Sequence, residues 1–396
     1  MKRLLIRLSF LPFALAIAFA TKVYLDKFQQ HQADTAASLP ALSVPDEHTP
    51  RIQVALLLDI SGSMDGLIDQ AKTQLWQIVN ELGKASFQTE APQLEIALFA
   101  YGGDHLDPKL GFVEQLTPLS QDLDLISEKL FELRTNGGEE YCGQAIQTAL
   151  ETLKWSQQSH DLRMIFIAGN EPFSQGPVLF RQVCLEAKKQ GILVNTIFCG
   201  DYLEGVELQW QRGAELSEGQ YMHIDHNQEY AQVATPYDST IVALNTRLND
   251  TYITYGWEGS GRQARQIAQD RNAKSIGGLS NLVTRSVSKA NKAYKNSSWD
   301  LVDLTLDHNG TFDFNKIPED ALPDSLKGLE PEAIKAIVEE KATLRRQIQD
   351  DINTTNEKRE AFLVQLKDSL SQTNTLDQAL LHTIRKQAET KNYRFE

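Results

Sequence analysis

Two hydrophobic rhythms alternate along the chain. Gln53-Val54-Ala55-Leu56-Leu57-Leu58-Asp59 is a continuous apolar run, the pattern of a strand buried on both faces of a parallel sheet. Directly after it, Leu67, Ile68, Ala71, Leu75, Ile78, Val79 and Leu82 recur at three- and four-residue spacing, which predicts a helix whose single apolar stripe packs on that sheet. The same reading places strands near 94–101 and 110–116, helices near 122–133 and 143–155, and a strand at 163–168. A helix at 177–190, a strand at 192–198, a helix near 204–216, a strand near 220–225 and a helix near 236–253 complete the series. The alternation predicts an α/β fold, a doubly wound and mostly parallel sheet over residues 51–255. The link from Gly102 to Lys109 is too short for a crossover helix, so one antiparallel hairpin is expected at the sheet edge.

After Gly256 the character changes. Gly256, Gly259 and Gly261 suggest a hinge, followed by helices near 262–271 and 279–294. Trp299 to Leu306, then Asn309-Gly310, then Phe312 and Phe314 predict a small β-hairpin, because Asn-Gly supplies the positive-φ pair of a tight turn. This region, 256–328, gives way to 329–396, where a long charged helix runs from Glu332 to about Leu370 with Ile334, Ile337, Val338, Leu344, Ile348 and Ile352 at irregular helical spacing. Such a helix either docks on its own chain or joins a coiled coil, and Asn353-Thr354-Thr355-Asn356 breaks the heptad of the second.

The N-terminus carries an address. Lys2, Arg3 and Arg7 precede an apolar run from Leu8 to Ala20 that ends in Ala18-Phe19-Ala20, so residues 1–20 read as a cleaved secretory signal and 21–50 as a linker. A periplasmic or otherwise exported protein is expected; the alternative is an inner-membrane anchor formed by the same segment. In an oxidising space the three cysteines, Cys142, Cys184 and Cys199, cannot all pair within one chain, and Cys142 with Cys199, both at loop ends, is the expected disulfide. Composition narrows the partners. The 396 residues carry 41% hydrophobic side chains, enough for a substantial core, and 53 Asp and Glu against 39 Lys and Arg, a net charge of -14 that opposes binding to nucleic acid.

The chemistry sits where the first strand meets the first helix. Asp59, Ser61 and Ser63 bring a carboxylate and two hydroxyls onto a turn opened by Gly62, at the carboxyl end of a strand where doubly wound sheets bind ligands. Oxygen-only donors suit a hard divalent cation. His223, Asp225 and His226 alternate across a strand and do not converge, Asp104, His105 and Asp107 read as turn residues, and Asp307, Asn309 and Asp313 lack the spacing of a calcium loop.

Leu56 to Met64 followed by an amphipathic helix resembles the opening of a von Willebrand factor type A domain, and the resemblance covers roughly 51–255. It implies a metal-ion-dependent adhesion site built from Asp59, Ser61 and Ser63, a Thr from a second loop and an Asp after the fourth strand. The second loop here reads Gly137-Gly138-Glu139-Glu140, with Glu140 at about the Thr position. The fourth strand ends Ala168-Gly169-Asn170-Glu171, so Gly169 stands where the Asp is usual and Asn170 or Glu171 substitutes for it. The implied metal set is Asp59, Ser61, Ser63, Glu140 and Glu171, holding Mg²⁺ (or Mn²⁺ or Ca²⁺). The implied role is a non-catalytic module that binds a protein partner, through an acidic residue of that partner at the metal. Glu140 could instead supply that carboxylate from within the chain and weaken the pull on an outside acid. A metal-dependent hydrolase, or an accessory subunit of one, is the alternative.

Overall fold

The computed structural model describes residues 49–224, 233–370 and 376–395. The expected signal over 1–20, nearly all of the linker, and Asp225 and His226 lie outside the described residues.

In chain order the elements are strand β1 (Arg51–Asp59), helix α1 (Asp65–Leu82), strands β2 (Ala85–Ser86), β3 (Gln93–Tyr101) and β4 (Val113–Ser120), then helices α2 (Leu123–Glu132) and α3 (Cys142–Thr152). Strand β5 (Leu162–Gly169), helix α4 (Phe180–Lys189), strand β6 (Leu193–Cys199), helices α5 (Tyr202–Glu207) and α6 (Trp210–Leu216) and strand β7 (Tyr221–Ile224) follow. Then come helices α7 (Asp238–Asn249), α8 (Gly259–Lys289), α9 (Leu301–Asp307), α10 (Pro331–Leu370) and α11 (Leu376–Glu389), and strand β8 (Arg394–Phe395).

Six strands form one sheet in the order β4-β3-β1-β5-β6-β7, parallel except where β4 runs antiparallel to β3 at the edge. The sheet is α/β and doubly wound, as its periodicity demands. Along β1, Ile52, Val54, Leu56 and Leu58 point into one core while Ala55 and Leu57 point into the other. The second core is closed by α3, α4 and α6 through Ala145, Ile146, Ala149, Phe180, Val183 and Trp210.

The first core draws its cover from the whole chain. Helices α1 and α2 supply Ile68, Leu75, Trp76, Val79, Ile126 and Leu130, and α7 supplies Ile241, Leu244 and Leu248. Val283 of α8, Ile348 and Ile352 of α10, and Leu380, Ile384 and Ala388 of α11 complete it. The buried positions of α10, Ile334, Val338, Ala342, Arg345, Ile348, Ile352 and Arg359, keep a three- and four-residue spacing, and that stripe lies against α7, α8 and α9. The last residues return to the sheet end: Ala85 and Ser86 pair with Phe395 and Arg394 in a small antiparallel ladder, and Tyr393 donates to Arg51 O at 3.0 Å.

Four expectations are corrected. Residues 299–314 are not a hairpin: Leu301, Val302, Leu304 and Thr305 are buried on one face of α9, and Asp300 caps it by accepting from Asp303 N at 2.9 Å. Asn309 and Gly310 do take positive φ, 50° and 75°, but they stop the helix, with Gly310 N donating to Thr305 O at 2.9 Å. The helix expected over 204–216 is two short ones, broken at Gln209, whose φ is 73°. The two helices expected after the hinge are present within the span Gly259–Lys289, parted at Gly277 and Gly278, where φ 60° and ψ -152° at Gly278 suit glycine alone. The expected Cys142–Cys199 disulfide is absent, and all three cysteines are free and buried. Cys142 and Cys184 belong to one core and Cys199 to the other, so the sheet stands between the expected partners. The edge strand also begins later than expected, at Val113, after a loop that carries a short helical turn capped by Asp107.

Candidate metal centre

Asp59 is the last residue of β1, the strand with neighbours on both sides nearest the middle of the sheet. Its position is set by the ladder: Ile60 N donates to Tyr101 O at 2.8 Å, which holds the chain in register one residue past the strand. The turn then doubles back, and Ser61 N donates to Asp59 Oδ1 at 2.7 Å. Ser61 Oγ and Ser63 Oγ share a hydrogen bond of 3.0 Å, and Ser63 Oγ donates to Asn170 Oδ1 at 3.2 Å. The strand-to-helix turn therefore gathers a carboxylate, two hydroxyls and an amide oxygen in one place.

The second loop is pressed against this turn. Asn136 N donates to Ile60 O at 2.8 Å. A Cβ on Gly138 would stand 2.2 Å from Gly102 O, so only glycine lets the two backbones approach this closely. The loop delivers Glu140 beside Asp59. Gly102, at φ 82°, is the floor under both: a Cβ there would meet Asp59 Oδ1 at 2.7 Å and Glu140 Cγ at 3.0 Å. Gly169 is the wall, where a Cβ would stand 2.6 Å from the Tyr101 hydroxyl and 3.1 Å from Asp59 Oδ2. Tyr101 Oη is itself tied down, donating to Ala168 O at 2.9 Å.

Burial leaves this pair unsatisfied. Asp59 is 0% and Glu140 6% exposed; Asp59 Oδ2 and Glu140 Oε2 meet no donor from the rest of the protein, and the two carboxyls lie within hydrogen-bonding reach of each other. Burial foremost pushes both carboxyls above the usual carboxylate range, and for Glu140 the charge of Asp59 adds to it. Two buried carboxyls with one orphaned oxygen each, next to two serine hydroxyls, are a donor set that fits a hard divalent cation: such an ion satisfies the orphaned oxygens and offsets the repulsion between them.

Of the five residues read as metal-binding, Asp59, Ser61, Ser63 and Glu140 come together. Glu171 stays on the exposed rim and acts on the pair through its charge, while its backbone oxygen accepts from Trp210 Nε1 at 2.8 Å. Asn170 is the residue that reaches the hydroxyls. Among the described residues no cluster of three or more His, Cys, Asp and Glu side chains has metal-site geometry, so the centre rests on two carboxyls and neutral oxygens. His223 is exposed, with Nδ1 3.4 Å from Gly200 O. Tyr101 and Gly102 also shape the site, and the one signal of that in the sequence is a phenol and a glycine ending an otherwise apolar strand.

Residues 54–171 match the family model of the von Willebrand factor type A domain. No curated protein matches the chain. Among solved structures, the conserved hypothetical protein BatB from Bacteroides thetaiotaomicron is 17% identical over 44% of this chain and 90% of its own, with a TM-score of 0.34. An aerotolerance-related membrane protein from Bacteroides fragilis is 17% identical over 44% and 92%, with a TM-score of 0.31. Proximal thread matrix protein 1 from the mussel byssus, described with a zinc-occupied MIDAS motif, is 10% identical over 46% of this chain and 43% of its own, with a TM-score of 0.34.

Proposed function

We propose that the protein is an exported, non-catalytic module that binds a protein partner at a metal-ion-dependent adhesion site of variant composition, carried on residues 54–171, which match the von Willebrand factor type A model. The observation that carries this reading is the pair of orphaned oxygens, Asp59 Oδ2 and Glu140 Oε2, set beside Ser61 and Ser63 at the end of β1. Asp59, Ser61, Ser63 and Glu140 would hold the ion, Mg²⁺ or Mn²⁺, with Asn170 and Glu171 at its edge. The ion supplies a fixed positive charge; the protein supplies a rigid seat. Ser61 N fixes one oxygen of Asp59 and so aims the other, and the glycines at 102, 138 and 169 hold the walls close. Export rests on the basic start and apolar run of residues 1–20. Among the described residues no helix is long and apolar enough to cross a membrane.

The test is calorimetry of the full chain with Mg²⁺ and with Mn²⁺. Saturable binding that disappears in Asp59→Ala, and weakens at least about tenfold in Ser61→Ala or Ser63→Ala, is expected from the loss of a charged ligand and of a neutral one. No heat at millimolar metal would overturn the metal centre and leave only the scaffold.

A further inference from the structure

The rim around this centre is acidic, and it is unevenly so. The loops at the carboxyl ends of the strands, with the first helical turns that follow them, expose Asp104, Asp107, Glu139, Glu171, Asp201 and Glu204, against Lys109, Arg134 and Arg181. Among the described residues, the first four of these carboxylates make no salt bridge to a lysine or arginine; Asp104 faces His105 Nδ1 at 4.0 Å, and Asp107 and Glu139 accept from Lys109 N and the Tyr141 hydroxyl. Beneath them lie Asp59 and Glu140, buried, with an unpartnered oxygen each. Two carboxyls within the chain already balance a divalent cation. The loop bearing Glu140 is held against the first turn, Asn136 N donating to Ile60 O at 2.8 Å and Gly138 packing on Gly102 O, so the loop carries that carboxyl beside Asp59.

An apolar border adjoins the acids. Leu110 and Leu179 are each 61% exposed, and their loops converge on the first turn of α3, directly after Glu140. On one side a Cβ at Gly111 would meet Gln144 Cγ at 2.5 Å; on the other, a Cβ at Gly143 would meet Val178 O at 2.3 Å. Phe112 and Tyr141 fill the floor between, ring against ring at 5.8 Å. Phe112 is held at φ 55°, a conformation a bulky side chain rarely adopts.

We propose that the partner segment which docks on this rim is basic and aliphatic, carrying Lys or Arg to the carboxylates beside a leucine-like side chain to Leu110 and Leu179, and is not an acidic segment. This rests on the preceding reading that the rim is a protein-binding face. Like charges set opposite one another cost affinity and slow encounter, whereas an acidic rim steers a basic partner toward it. The apolar border then discriminates among basic segments, because burying an aliphatic side chain adds affinity that charge alone does not.

The test uses the full chain loaded with Mg²⁺ and two fluorescent peptides, acetyl-Lys-Leu-Lys-Leu-Lys-amide and acetyl-Glu-Leu-Glu-Leu-Glu-amide, followed by anisotropy. The basic peptide should bind, weaken at least about tenfold when salt rises from about 0.05 to about 0.5 M, and the acidic one should not bind. Asp104→Asn with Asp107→Asn and Glu139→Gln should weaken the basic peptide roughly tenfold. Glu332→Gln with Glu339→Gln and Glu340→Gln should leave it unchanged. These lie on the first turns of α10, where Lys341 Nζ donates to Asp250 O beyond the far end of α7, and they control for general attraction to an acidic protein. Leu110→Ser with Leu179→Ser should weaken this peptide but not its Lys-Gly counterpart. Binding of the acidic peptide, equal loss in both neutralised variants, or no peptide binding by metal-loaded protein would overturn the proposal. The metal calorimetry is separate: protein that takes no metal defeats the metal centre, while metal-loaded protein that ignores the basic peptide defeats only the partner.

Discussion

Asp59 can be buried without a full set of hydrogen bonds because two glycines make room for it. Gly169 is the instructive one. A side chain there would enter the space between the Tyr101 hydroxyl, 2.6 Å from its Cβ, and Asp59 Oδ2, 3.1 Å away. Substituting the aspartate that the family usually shows near this position would therefore not restore a ligand. Gly169→Asp is expected to destabilise the fold by about 1–3 kcal/mol, from overpacking and a further buried charge, and to lower metal affinity. Urea unfolding with parallel calorimetry checks this; a variant of unchanged stability that binds metal more tightly would show that the wall yields. The identities of Asp59, Ser61, Ser63 and Glu140 were legible in the sequence because strand end, turn and second loop each carry a local signature. Which oxygens lack partners was not legible, since that depends on four segments brought together by the sheet.

At the scale of elements, the misread stretch 299–314 is the lesson in what local pattern omits. Asn-Gly announces two positive-φ residues, and both a hairpin turn and a helix stop use them. The decision came from α10. Arg345, 1% exposed, reaches Asp300 and Asp303 from Nη1 at 2.6 and 2.5 Å, and its guanidinium lies 4.0 Å over the Tyr252 ring. Both carboxylates sit on one side only if 300–303 is the start of a helix. Arg345→Met should cost about 3–5 kcal/mol in urea unfolding, because it leaves two buried carboxylates uncompensated; a loss below about 1 kcal/mol would mean that water replaces the guanidinium.

The bent helix α8 carries a second buried network. Asp270 accepts from Arg285 Nε at 2.6 Å and from Lys289 Nζ at 3.1 Å, and Asn249 Oδ1 accepts from the same lysine. Asp124 of α2 faces the group from the neighbouring helix, 2.9 Å from Arg285 Nη2. Burial outweighs the pull of Asp270 and lowers the Lys289 amine from 10.5 to about 8. Between these values the unfolded chain binds more protons than the folded one, so this lysine's contribution to stability grows with rising pH and is lost as pH falls through about 8. The stability of the wild type relative to Lys289→Met should accordingly increase from about pH 7.5 to about pH 10 in urea unfolding. A difference independent of pH would show that the amine stays charged in both states.

For the whole molecule, the first core is assembled from residues as distant in sequence as Ile52 and Tyr393. Gln387 and Asn195 exchange hydrogen bonds of 2.6 and 3.0 Å across α11 and β6, Arg385 pairs with Glu81, and the Tyr393 ring packs tilted against Phe87 with centroids 5.3 Å apart. Deleting 376–396 would uncover Leu380, Ile384 and Ala388 and their partners on the sheet. We expect it to cost several kcal/mol, at roughly 1.5–3 kcal/mol for each large buried apolar side chain, and to raise binding of a hydrophobic dye. Unchanged thermal unfolding of the truncated chain would show that the last helix is dispensable.

The sequence by itself determined the doubly wound sheet, the antiparallel edge and the turn that carries Asp59, because strand runs, helical stripes and turn residues are signals contained within short windows. Tertiary structure alone decided that Leu301–Asp307 is a helix, that three buried cysteines stay apart, and that Asp59 and Glu140 meet with an orphaned oxygen each. Those outcomes depend on what lies across a core or over a loop, and contacts between residues far apart in the chain leave no trace in the local pattern of either partner.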